Sequence, residues 1–326
     1  MLVLRCDVCG IREAVVYQRH TCRALCVRCF IDDVTSRVLN EVRRYGMFRS
    51  NDRLLLSLSG GKDSYTLLDV ISRLHDAGKI GVITIIEGIP NYDRREGIEW
   101  ILKRSKELGI DVFLTSFKDF LDYTLGEIVE RSRRYNVNVS PCTFCGIIRR
   151  RIVNKYAREH GFTKVLTAHN LDDEVQTVIL NILRGDIARL VQTHPKGPVL
   201  SKLFVRKVKP LRKIYEWETA IYSYLIGFRF QVAECPFIKY QPTLRARIRY
   251  YLRKLERRRP GTLLTFLTAI DDMVGSIVGN FTGLPELPRC KRCGEPTAYG
   301  RDYCVLCELL DKVGLNALPG RKVALC

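Results

Sequence analysis

Four Cys-x-x-Cys pairs, two near each end of the chain, limit what its outer segments can fold into. Cys6 and Cys9 are followed by Cys26 and Cys29, with His20 and Cys22 between; Cys290 and Cys293 are followed by Cys304 and Cys307, beside Gly294, Pro296 and Gly300. Two such hooks joined by a short linker have the spacing with which four thiolates wrap a tetrahedral Zn²⁺. Segments this short hold too little apolar material for a core, so the metal supplies their folding energy. At the first site Cys22 or His20 could replace one ligand. Both sites are closed, which suits structural or RNA-docking modules rather than catalytic zinc.

The chain has thirteen cysteines in all, and 54 Lys and Arg against 35 Asp and Glu give it a formal charge of +19. No secretory apolar stretch precedes Arg5, Cys6 and Asp7, and the longest apolar run, 262–281, is broken by Asp271 and Asp272. The expectation is therefore a cytoplasmic protein without a membrane span, whose cysteines serve metals or catalysis rather than disulfides. Clustered positive charge gains affinity by displacing counterions from phosphates, so the partner expected is a polyanion. At 326 residues, 46% hydrophobic and 27% charged, the chain is long enough for about two domains of roughly 150 residues and is neither disordered nor fibrous.

Between the hooks, residues 33–45 read as a linking helix with Val34, Val38 and Val42 four apart. Apolar runs at 54–58, 81–86, 112–115 and 164–168 alternate with helical patterns at 65–75, 94–108, 119–135 and 145–160. Strands alternating with helices imply a parallel sheet covered on both faces. From Asp173 onward the chain reads as mainly helical. The expected division is a zinc module over 1–32, a linker helix over 33–50, an α/β catalytic domain over 51–240, a basic helical segment over 241–284 and a second zinc module over 285–326.

The run 54–58 leads into Ser59, Gly60, Gly61, Lys62, Asp63 and Ser64 and then a helix. Two glycines let backbone N–H groups approach an anion, two hydroxyls add donors, and the helix start contributes its positive dipole end. Lys62 can neutralise phosphate, while Asp63 suits Mg²⁺ or a helix cap. The spacing is not that of the GxxxxGK[ST] loop. A second motif, His169-Asn170-Leu171-Asp172-Asp173-Glu174, follows the run 164–168 at the carboxyl end of a strand, the ligand edge of an open sheet. One of its acids can cap the helix while the other faces the ligand. The third constellation is Cys142 and Cys145, with Cys235 far downstream. Three cysteines are too few for a closed four-thiolate site but suit a [4Fe–4S] cluster with one open iron. A redox dithiol or a persulfide at a helix start, or plain structural burial, are the other readings.

The 59–64 loop resembles the SGGxDS pyrophosphate loop of the N-type ATP pyrophosphatases, which cleave ATP between its α- and β-phosphates and adenylate a substrate oxygen. Together with the HNxDD segment, the three cysteines and the paired zinc hooks, the whole chain is similar to the tRNA 2-thiouridine synthetases of the TtuA type. That resemblance implies an α/β fold: a Rossmann-like PP-loop ATP pyrophosphatase domain with a parallel sheet, flanked by two small zinc modules and a helical C-terminal part. It further implies ATP-dependent replacement of a uridine C2 oxygen by sulfur. ATP and Mg²⁺ take part, with a [4Fe–4S] cluster on Cys142, Cys145 and Cys235 and structural Zn²⁺ on the two four-cysteine sets. A small ubiquitin-like thiocarboxylate protein is the implied sulfur donor, and a homodimer the implied assembly. The family carries a basic residue a few positions after its second cluster cysteine, which falls on Arg149, followed by Arg150 and Arg151; where some members have Lys, Arg would act as an electrostatic clamp.

In this reading Asp173 is the Mg²⁺ ligand or base, and Ala168 and His169 line the nucleotide pocket. The tRNA lies on the run 245–259, where Arg245, Arg247, Arg249, Arg253, Lys254, Arg257, Arg258 and Arg259 oppose only Glu256, with Tyr250 and Tyr251 offering stacking faces. The three methionines and abundant arginine hint at a heat-adapted source, which inclines the expected target to uridine 54 of the T-loop over wobble uridine 34. The rivals are a lysidine-type or other amide-forming ligase, an adenylylsulfate reductase, and a non-enzymatic zinc-ribbon RNA scaffold.

Overall fold

The computed structural model describes residues 4–92, 94–229, 235–238, 244–281 and 285–315; Cys326, expected to be uninvolved, lies outside them. Strands β1 (Val16–Gln18) and β2 (Arg23–Leu25) form a small antiparallel hairpin in the first cysteine module. Helix α1 (Val27–Tyr45) follows directly from Cys26. The central α/β unit then runs β3 (Leu54–Leu58), α2 (Lys62–Leu74), β4 (Ile80–Ile86), α3 (Arg95–Glu107), β5 (Asp111–Ser116), α4 (Phe117–Leu121), α5 (Leu125–Arg134), α6 (Pro141–Glu159), β6 (Lys164–Thr167), α7 (Leu171–Leu183), α8 (Ile187–Thr193), β7 (Arg206–Val208) and α9 (Glu216–Leu225). Helices α10 (Leu244–Arg258), α11 (Thr262–Val278) and α12 (Val305–Lys312) complete the described chain.

The five strands of the main sheet are all parallel, in the order β5-β4-β3-β6-β7. Strand β3 is buried at every position but Ser57, which is half-buried, because its neighbours supply both edges and helices cover both faces. Its residues alternate: Leu54, Leu56 and Leu58 face a core shared with α1, α2 and α9, while Leu55 faces a second core with α5, α6 and α12. At Gly81 on β4 a Cβ would lie 2.6 Å from the Phe162 ring, so glycine is required for that ring to close the sheet's lower edge.

Several boundaries differ from the sequence expectations. Helix α1 begins six residues earlier than expected, and its Val34, Val38 and Val42 are buried against the sheet, each worth roughly 1.5–3 kcal/mol. The helix expected over 119–135 is two helices, broken where Asp122 takes a left-handed φ of 65° and restarted by a capping box between Thr124 and Glu127. Strand β7, in a region expected to be helical, adds a fifth parallel strand beside β6.

Helix α11 with the turn after it, Thr262–Phe281, is long and apolar enough by composition to cross a membrane. Its buried residues Leu263, Leu267 and Val274 pack with Leu171, Val175 and Val178 of α7, and its Asp271 takes two hydrogen bonds from buried Arg212, at 2.6 and 2.7 Å.

Candidate functional site

The sheet reverses direction of growth at β3, with β4 on one side and β6 on the other, and the loops leaving β3 and β6 therefore flank a switch point at the carboxyl edge. The 59–64 loop leaves β3 there. Ser59 N–H donates to Ser64 Oγ at 2.8 Å, Gly60 adopts φ +82°, and α2 starts at Lys62 with Gly61 as its N-cap. Loop and α3 touch through glycines: a Cβ on Gly97 would stand 2.1 Å from the Gly60 carbonyl oxygen. Arg94 holds the loop from the same side, donating to the Ser59 carbonyl at 2.8 Å and to the Ile85 carbonyl at 3.1 Å. Lys62 reaches Asp63 at 2.9 Å and Glu216 at 3.4 Å.

Across the switch point, Asn170 caps α7. Its side chain accepts the Asp173 N–H at 3.1 Å, Asp173 returns the bond to the Asn170 N–H at 3.4 Å, and the Asn170 amide also donates to Asp63 at 3.3 Å. The two motifs are thus stitched together by a residue to which the sequence reading gave no role. Asp172 accepts the Glu216 N–H at 2.9 Å and ties α7 to α9. Asp173 is left beside Asp63; enclosure and that second carboxylate push its pKa up to about 6. Two neighbouring carboxylates are a donor set that could hold a divalent cation. Ala168 is half-buried between β6 and this cap, and His169, exposed at the surface, opens on the adjoining cleft.

Helix α6 starts at Ser140, whose hydroxyl accepts the Thr143 N–H, with Pro141 in the first turn. Cys142 and Cys145 are therefore one turn apart at its N-terminal end. The short 3₁₀ turn Pro236–Ile238 packs Phe237 into the core of α6 and so delivers Cys235 to the same place. All three thiols line one cleft of ≈ 880 Å³ together with Glu87, Tyr92 and Arg149, and the cleft reaches Ser57, Thr167 and His169 at the sheet edge. Burial pushes the Cys145 thiol up to about 11, against the pull of Arg149. Among the described residues, the sets whose ligand atoms all lie within 4.8 Å of one another are the two four-cysteine groups and not this trio. Its wider spread, in a cleft with room beside it, fits a multi-iron cluster better than a single ion.

Glu87, which the sequence reading missed, joins the two halves of the site. It is buried, pairs with Arg149 at 3.5 Å and holds Arg94, the residue that fastens the Ser59 carbonyl. Neither Glu87, Arg94 nor Gly97 belongs to a recognisable motif; a lone acid just after an apolar strand was the available signal.

At the chain's two ends, Cys6, Cys9, Cys26 and Cys29 form one close group and Cys290, Cys293, Cys304 and Cys307 the other. Sulfur–sulfur distances of 4.0 Å for Cys9 and Cys26 and 3.7 Å for Cys293 and Cys304 suit the edges of a tetrahedron about an ion with ~2.3 Å metal–sulfur bonds. The open choice at the first group resolves to four cysteines: Cys22 is exposed and turns to the Arg19 carbonyl, and His20 packs against Tyr215 and Trp217. Arg151, the third of three successive arginines, points to the second group, donating to Cys293 and Cys304 sulfurs at 3.5 and 3.4 Å.

The basic helix α10 is more engaged than its sequence suggests. Arg249 and Arg253 pair with Glu216 at 2.7 and 2.8 Å, and Arg245 lies 4.0 Å from Asp173 and donates to Thr177. The expectation that its cations oppose only Glu256 is corrected: Glu216 holds two of them, and Glu256 is occupied by Tyr215 and the start of α11. Arg247, Lys254, Arg257, Arg258 and Arg259 remain exposed.

A parallel sheet with a glycine-serine phosphate loop and a facing acidic helix start at its switch point defines a PP-loop ATP-binding protein. The family model for that PP-loop domain, ATP_bind_3, matches residues 32–249. The chain is 32% identical over 321 residues to "Cytoplasmic tRNA 2-thiolation protein 1" of Arabidopsis thaliana, covering 95% of this chain and 84% of that one. It is 31% identical over 305 residues to the Pyrococcus horikoshii "tRNA-5-methyluridine(54) 2-sulfurtransferase", covering 94% and 93%. Among solved structures, the U34-tRNA thiolase NcsA from Methanococcus maripaludis with its [4Fe-4S] cluster superposes with a TM-score of 0.75 at 28% identity, over 95% of this chain and 97% of that one. The chain belongs to the PP-loop family, and within it to the branch of the tRNA 2-thiolation sulfurtransferases.

Proposed function

We propose that this protein catalyses ATP-dependent 2-thiolation of a tRNA uridine, with uridine 54 of the T-loop as its target. The observation that carries the reading is the meeting of the 59–64 loop, the Asp63 and Asp173 pair and the three thiols of Cys142, Cys145 and Cys235 around one sheet edge. A uridine C2 oxygen is a poor leaving group, so it is first activated: O2 attacks the α-phosphate of ATP, pyrophosphate departs into the 59–64 loop, and an adenylated uridine results. Serine hydroxyls, loop N–H groups and Lys62 receive the pyrophosphate charge. Asp63 and Asp173 would hold Mg²⁺, which neutralises phosphate oxygens. Arg149, held by Glu87, stabilises negative charge as sulfur adds at C2 and AMP leaves. Ala168 and His169 border the nucleotide. Cys142, Cys145 and Cys235 would hold a [4Fe–4S] cluster, whose open iron supplies a Lewis-acidic site for inorganic sulfur. The two four-cysteine groups suit structural Zn²⁺, and the exposed cations of α10, with Arg245 beside Asp173 and Arg249 and Arg253 on Glu216, suit the tRNA backbone. A ubiquitin-like thiocarboxylate donor, a homodimeric assembly and the five-part division of the chain given above belong to the same proposal.

The Pyrococcus horikoshii relative and the arginine-rich, methionine-poor composition support uridine 54; the likeness to a U34 thiolase supports the wobble position as the second reading. Nucleoside mass spectrometry of tRNA fragments after incubation with protein, ATP, Mg²⁺ and sulfide decides between them. Sulfur in the T-loop fragment is the expected result, and sulfur in the anticodon fragment overturns the choice of position.

A further inference from the structure

Around the cysteine cleft and the cavity beside it, most cations have a carboxylate of their own. Arg149 pairs with Glu87 at 3.5 Å, Arg189 with Asp186 at 3.1 Å, Lys209 with Glu174 at 2.6 Å and Arg212 with Asp271 at 2.6 Å. Lys207 on β7 and Arg150 on α6 differ: among the described residues neither has an acceptor within hydrogen-bond or ion-pair distance. Arg150 folds back along α6 over Gly146, where a Cβ would stand 3.1 Å from its Nη1, so the guanidinium lies beside the turn that carries Cys142 and Cys145. Both side chains line two cavities at once. One is the ≈ 880 Å³ cysteine cleft; the other, of ≈ 680 Å³, shares Cys142 with it and extends to Arg189.

Both side chains are solvent-exposed on the cavity wall, where two like charges without a counter-ion repel each other, an arrangement that an incoming anion relieves. The carboxylate that faces Lys207 is Glu174, and Lys209 already holds both of its oxygens.

Resting on the thiolation reading above, we propose that Lys207 and Arg150 seat a backbone phosphate of the RNA substrate on the wall between the two cavities, beside Cys142. A planar guanidinium and an ammonium facing one space match the oxygens of a phosphodiester. The phosphates of ATP are poorer occupants, because none of residues 59–64, which receive them, lines either cavity. A uridine inserted into the cysteine cleft, by contrast, brings its own phosphates to that wall. A small sulfur anion has the same charge and could use the same seat, so the test separates the two.

The test compares tRNA binding at several salt concentrations, and the KM for sulfide, in the full-length, anaerobically prepared protein and in Lys207→Met, Arg150→Met and Lys207→Arg. Each Met variant is expected to weaken tRNA binding about tenfold and to reduce the slope of log affinity against log salt by about 0.7–0.9, the loss of one phosphate contact. Lys207→Arg is expected to keep most of both, and the sulfide KM to stay unchanged throughout. Unaltered tRNA affinity and salt slope overturn the proposal; a raised sulfide KM alongside them assigns the seat to the sulfur anion. Should a Met variant fail to fold, Lys207→Gln and Arg150→Gln are read by the same criteria. If the Met variants lose affinity and slope as expected yet the wild type forms no 2-thiouridine, it is the thiolation reading that fails and the phosphate seat stands.

Discussion

Asp173 shows how one residue can serve fold and chemistry together. It returns the capping bond to Asn170 and so starts α7, yet it also faces Asp63 closely enough for the two charges to interact. Because its folded pKa, about 6, lies above the ordinary value near 4, folding favours its protonated form. The ionised pair therefore costs stability above pH 6, and that cost fades as pH falls through the interval between 6 and 4. A divalent cation should relieve it in the high-pH range. Mg²⁺ without nucleotide is expected to raise the Tm of wild type at pH 7.5, to lose that effect below pH 6, and to have none on Asp173→Asn; a thermal melt in both proteins measures this. The same variant should lose about 100-fold or more in thiolation rate. Here the sequence was informative, since an acidic pair at a strand's end can be named from spacing. The three successive arginines were not separable by reading: Arg149 goes to Glu87, Arg150 to the cavity wall and Arg151 to the second cysteine group, because residues one apart on a helix point about 100° apart.

Elements with long apolar runs were legible and short polar ones were not. Strands β3 and β4 announce themselves as continuous apolar segments, whereas β7 is only Arg206, Lys207 and Val208, paired through its backbone at the sheet's edge. No side-chain pattern marks such a strand. The start of α1 was hidden for another reason: Cys26 and Cys29 were read as metal ligands, and their spacing is also that of one helical turn. The packing of α3 on the phosphate loop could not be foreseen either, since Gly97 and Gly60 are 37 positions apart in sequence and meet only in the fold. That contact gives a direct test. Gly97→Ala sets a methyl against the Gly60 carbonyl and should displace the loop, weakening ATP binding at least tenfold and costing about 1–3 kcal/mol of stability. Calorimetric ATP titration and denaturant unfolding would both register it; wild-type affinity would show that the loop tolerates a shifted α3.

At the scale of the whole molecule, the two cysteine groups lock opposite faces of one sheet. The first sits over α1 and the core it shares with α2, and the second packs Leu306, Leu309 and Leu310 of α12 on α6, the helix that carries Cys142 and Cys145. Loss of the second metal should therefore reach the cleft. Cys307→Ser is expected to lower zinc from about two to about one per chain and to release Arg151 from its sulfur partners, with a lower Tm as the readout. The large positive charge was legible as a polyanion signal, but its distribution was not, because acids distant in sequence, Glu216 and Glu295 among them, neutralise part of it. The assignment of Cys142, Cys145 and Cys235 to an iron–sulfur cluster is the central claim, and metal analysis tests it most directly. Iron, acid-labile sulfide and zinc are to be measured in anaerobically reconstituted wild type and in Cys235→Ala. The account predicts roughly four iron and two zinc per wild-type chain, with iron lost and zinc kept in the variant. Wild type without iron, or a variant that retains it in full, would contradict the account.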